Sequence, residues 1–89
     1  MIREHVRFVG RVQGVGFRYT CYGLAQRFGL TGWVRNDPDG AVTAEFQGSE
    51  GDLEALITAL KLKRPIQIDF AERNPIPVQP AEKDFRVTF

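Results

Sequence analysis

The sequence predicts an α+β sandwich, an antiparallel or mixed sheet of four to five strands with two helices packed on one face. Three observations carry that prediction. Apolar and polar residues alternate in several short stretches, and apolar residues recur at i, i+3, i+4, i+7 in two longer ones. The two periods also interleave in the order β-α-β-β-α-β, with one strand added at the end. Two such halves make a ferredoxin-like split βαβ fold. At 89 residues the chain suits one domain spanning 1–89, hiding about 60–65% of the surface its unfolded chain exposes.

The first strand covers residues 3–12, with Val6, Phe8 and Val12 on one parity and His5, Arg7 and Arg11 on the other. His5 falls on the outward parity with no ligand-type neighbour in sequence, so it is expected to be solvated. From Arg18 to Phe28 the stripe Cys21, Leu24, Ala25, Phe28 predicts a helix, and Gly29 is placed to end it. A thiol near a helix start can be reactive, but the position of Cys21 on the stripe fits a small core residue better.

Gly32–Asn36 and Val42–Gln47 are rich in strand formers, and the turn residues Asn36-Asp37-Pro38-Asp39-Gly40 join them into a predicted hairpin. Trp33 is expected to anchor that hairpin by burying its ring against the neighbouring layer. Ser49-Glu50-Gly51-Asp52 announces the second helix, whose stripe is Leu53, Leu56, Ile57 and Leu60. Lys61, Lys63 and Arg64 suit its negative end, and Pro65 stops it. Ile66, Ile68 and Phe70 predict a fourth strand. Asn74–Pro80 is proline-rich and reads as a loop or an irregular edge, and Phe85, Val87 and Phe89 as a last strand.

Formal net charge is +1, with 43% hydrophobic and 26% charged residues, so nothing global steers the chain to nucleic acid or to an acidic membrane. The basic cluster at Lys61–Arg64 has no interleaved aromatics for base stacking. There is neither an apolar run long enough to cross a bilayer nor a secretory h-region, and the expectation is a cytoplasmic monomer. A lone cysteine and a lone histidine leave no zinc site of ordinary spacing, so no metal or cofactor is expected.

Between the first strand and first helix lies Gly10-Arg11-Val12-Gln13-Gly14-Val15-Gly16-Phe17-Arg18. A glycine bend at a helix start gathers N–H groups into a cradle for an anion, and Gly14 and Gly16 permit φ > 0. Arg18, at the first helical turn, can grip phosphoryl oxygens with two N–H groups. The spacing matches neither the Walker loop nor the dinucleotide fingerprint. On spacing alone it reads equally as a tight turn carrying a solvated arginine.

The full string, followed by Gly32-Trp33-Val34-Arg35-Asn36 and then Asp39-Gly40, closely resembles the acylphosphatase family. The resemblance covers the whole chain, more loosely from Lys61 to Lys83. It implies the same ferredoxin-like fold and a hydrolase for small-molecule acyl phosphates. It assigns Arg18 and the backbone N–H groups of Gln13, Gly14, Val15, Gly16, Phe17 and Arg18 to the phosphoryl group, with phosphate or sulfate able to occupy the loop. Asn36 matches the residue that orients the attacking water. Without the resemblance Asn36 reads as a turn former at a strand end. Arg35 and Arg11 rank second, as charges that attract the anion or simply lie on exposed strand faces.

Such a bare site suits an acyl phosphate, because a carboxylate leaves without being protonated. Three alternatives stay open: a module that binds an anion without turnover, a carbamoyl-phosphate accessory domain like that of hydrogenase-maturation proteins, and a regulatory ferredoxin-like module. The absence of zinc-finger-like segments after Phe89 is expected of a stand-alone enzyme.

Overall fold

In the computed structural model, which describes Met1–Phe89, the chain runs β1 (Ile2–Arg11), α1 (Phe17–Phe28), β2 (Thr31–Asn36), β3 (Val42–Gly48), α2 (Glu50–Leu62), β4 (Gln67–Ile76) and β5 (Phe85–Val87). The strands form one sheet in the order β4-β1-β3-β2-β5. Every pairing is antiparallel except β2 with β5, so the sheet is mixed.

Alternation decides which face holds the core. Val6, Ala44 and Val34 are cross-strand neighbours, all fully buried, and with Phe8 and Phe46 they meet Cys21, Ala25, Leu53, Leu56 and Leu60 from the two helices. The ring of Phe8 lies 5.0 Å from Phe17, and Phe46 stacks on Phe85 at 5.6 Å. Both helix stripes thus face the sheet as their spacing requires. Gly29 ends α1, with the N–H groups of Gly29 and Leu30 donating to Gln26 and Ala25. Ser49 caps α2, its Oγ accepting from the Asp52 N–H at 3.1 Å.

The other face is not bare. Residues 77–84 run from β4 at one edge to β5 at the opposite edge, across the helix-free side. Gln47 and Gln79 exchange two hydrogen bonds of 2.7 and 3.0 Å there. Beside them Arg3 is only 1% exposed. It donates to Glu45 at 2.9 Å, to Glu82 at 2.7 Å and to Gln47 at 3.2 Å. Desolvation works against the charged Arg3, but the bonds to Glu82 and Glu45 outweigh it and raise its pKa.

Of the two readings of Asn74–Pro80, the edge holds for Asn74–Ile76, which belongs to β4 with Pro75 included, because β4 is the sheet edge and an edge strand can forgo a ladder N–H; Pro77 and Pro80 lie beyond it. Three expectations are corrected. The last strand stops at Val87, and Phe89 is exposed. Trp33 is half-buried on the helix-free face, opposite Val34, with Arg35 over its ring at 5.0 Å. His5 is not simply solvated: its Nδ1 lies 2.8 Å from Glu45, its cross-strand partner, and its ring meets Trp33 edge-on.

Candidate active site

The glycine bend leaves β1 after Arg11 and delivers the chain to α1 through residues 12–16. Gly14 and Gly16 take φ of +73° and +76°, and a Cβ on either would meet no atom within 4 Å. Glycine is required there for its backbone conformation rather than for space. Gly16 is the N-cap of α1 and brings no side-chain cap, nor does the first turn hold an acid. The first N–H groups of the helix are therefore free of internal partners and carry its positive end.

Sheet alternation brings Asn36 to the same place. Asn36 follows Val34 by two residues, so it projects to the helix-bearing side but beyond the end of the core, where it is exposed. A hollow of about 200 Å³ results, bordered by Val12, Gly14, Gly16, Phe17, Arg18, Tyr19 and Asn36. Arg18 is half-buried there. Its Nη1 donates to the Thr88 carbonyl at 3.0 Å, and its guanidinium lies over the Phe89 ring at 4.7 Å. A sequence model of the acylphosphatase family matches residues 4–87.

The chain belongs to the acylphosphatase family. An acylphosphatase from Rhizobium etli is 40% identical over 85 residues, covering 93% of this chain and 89% of that one. One from Trichormus variabilis is 54% identical over 57 residues, or 64% of this chain, and the chain spans only 56% of that relative's length. The crystal structure of acylphosphatase from Bacillus subtilis is similar with a TM-score of 0.91 at 30% identity, covering 100% of both chains.

Within this acylphosphatase-family fold the expected site residues separate into two groups. Gly14, Gly16, Phe17, Arg18 and Asn36 border one hollow. The side chains of Gln13 and Val15 do not, since Val15 packs on the core and Gln13 reaches the β2–β3 turn. The Phe17 ring is buried, which leaves its main chain to the site. Arg35 lies on the helix-free face over Trp33. Arg11 lines a separate hollow with Lys61 and Arg64.

Sequence reasoning missed Tyr19 and Thr88. Tyr19 carries a local signal, its place beside Arg18 in the first helical turn. Thr88 carries none, because it meets Arg18 only through the fold.

Proposed function

We propose that this chain hydrolyses acyl phosphates, cleaving the carboxyl–phosphate anhydride to a carboxylate and inorganic phosphate. One observation carries the reading: Arg18, the Gly14–Gly16 bend and Asn36 border a single hollow at the uncapped start of α1. The N–H groups from Gln13 to Arg18 and the Arg18 guanidinium hold the phosphoryl oxygens and offset the charge that spreads over them. The Asn36 carboxamide, with both a donor and an acceptor, aims a water at phosphorus opposite the leaving oxygen.

No side chain has to supply a proton to the leaving group, because a carboxylate with a conjugate-acid pKa of about 4 departs unprotonated. The scheme invokes neither metal nor cofactor. The chain acts in it as a single cytoplasmic domain, a monomer, on a small-molecule acyl phosphate.

Hydrolysis of benzoyl phosphate by wild type, Arg18→Lys and Asn36→Ala, with and without chelator, tests the reading. Wild type should turn over with or without chelator, with inorganic phosphate a competitive inhibitor, and both variants should lose activity. Phosphate binding without turnover in wild type would reduce the chain to an anion-binding module. Turnover confined to carbamoyl phosphate would favour the accessory-domain reading, and a requirement for magnesium would sink the metal-free scheme.

A further inference from the structure

Gln13 stands at the start of the bend, yet its side chain turns away from the hollow. Its Nε2 donates to two main-chain carbonyls, Asp37 O at 2.7 Å and Ala41 O at 2.8 Å. Only the amino end of a carboxamide can face two carbonyls, so the orientation of the amide is fixed by chemistry. Those carbonyls bracket the β2–β3 turn, which the Asp37 N–H closes onto Ala41 O at 2.8 Å. Asp37 directly follows Asn36, and its own carboxylate is held by Thr43 and Arg35. No other side-chain hydrogen bond joins the bend to this turn.

We propose that Gln13 is a positioning residue that sets the separation between the loop amides and the Asn36 carboxamide. The proposal rests on the reaction proposed above, in which the amides hold the phosphoryl group and Asn36 aims the water. In-line attack tolerates little error: a misplacement of about 1 Å can cost on the order of 10²-fold in rate. A carboxamide reaching across the cleft holds both parts of the site to one geometry without touching substrate.

Gln13→Met keeps the length of the side chain and removes the donor. Its kcat should fall by about tenfold, while KM and the inhibition constant of inorganic phosphate stay within about twofold. In an Asn36→Ala background the same change should cost almost nothing, because the residue it positions is gone. Gln13→Glu should be at least as poor as Gln13→Met at neutral pH, a carboxylate then facing two carbonyl oxygens. On acidification, as its carboxyl gains a donor proton, its activity relative to wild type should recover, which Gln13→Met cannot do.

A loss confined to KM, or an undiminished cost of Gln13→Met beside Asn36→Ala, overturns the proposal. Wild-type turnover in Asn36→Ala instead overturns the reaction scheme, and a second measurement then decides Gln13 alone. With inorganic phosphate added, NMR amide shifts at residues 37–41 should follow those of the bend in wild type and cease to do so in Gln13→Met. If they follow unchanged, Gln13 couples nothing.

Discussion

Arg18 is held on two sides before any substrate arrives. The Thr88 carbonyl engages Nη1 and the Phe89 ring covers one face, which leaves the remaining N–H groups to the hollow. Arg18→Lys keeps the charge but cannot satisfy Thr88 and a phosphoryl oxygen from one planar group. Steady-state kinetics should show kcat/KM falling by about 10²-fold or more, and near-normal values would contradict the role given to Arg18. Asn36→Asp should lose both turnover and phosphate inhibition, since a carboxylate facing a dianion repels it. Asn36→Ala should lose turnover alone. Cys21 is fully buried on α1, and burial pushes its thiol pKa up. Iodoacetamide should therefore modify it only when the chain unfolds, as mass spectrometry can follow. Arg18 and Asn36 were legible in the sequence because each sits inside a contiguous motif. The partners of Gln13 and Arg18 were not, because those contacts span 24 and 70 residues of chain.

At the scale of elements, both helices were legible because their stripes are complete and their ends are marked. Ser49→Ala removes the acceptor for the Asp52 N–H and should cost about 1 kcal/mol in urea denaturation. Leu56→Ala, opening a void under α2, should cost about 2–5 kcal/mol. On β2, Gly32 is obligatory for a steric reason: a Cβ there would lie 1.8 Å from the Glu45 carbonyl oxygen, at φ +139°. Gly32→Ala should force β2 away from β3 and displace Asn36 with it, so stability and turnover should fall together. The extent of β4 was less legible. Pro75 reads locally as a break, and only the edge position in the sheet makes it tolerable. The alternation that defines β2 was visible, but the face Trp33 would take was misjudged. Val34 claims the core side, and a residue one step away must face the other.

For the molecule as a whole, the buried cluster around Arg3 fastens the 77–84 crossing to the sheet. Nothing in the sequence marks Arg3 as interior, since it lies on a strand's outward parity and only the distant Glu82 and Gln79 segment covers it. Arg3→Met would leave Glu82, 14% exposed, with no partner and Glu45, 15% exposed, with His5 alone. A loss on the order of 3–5 kcal/mol is expected in thermal or urea unfolding. Burial works to raise the Glu45 pKa, but hydrogen bonds from His5 and Arg3 outweigh it and hold the carboxyl below its ordinary 4.5. A carboxyl depressed in the native state stabilises above its ordinary pKa and loses that contribution as pH falls through the native value. Urea midpoints should therefore change little on this account from neutrality to about 4.5 and drop below it, and in Arg3→Met that acid-dependent decline should be reduced.

The place of β1 between β3 and the late-coming β4 has a consequence during synthesis. β3, ending at Gly48, is synthesised well after β1, ending at Arg11, and the two can pair before β4 is available. Until then the outer flank of β1 presents unpaired amides and carbonyls to any extended peptide nearby. A released fragment ending before about residue 67 should therefore be more adhesive than one extended past residue 76, in which β4 can cover that flank.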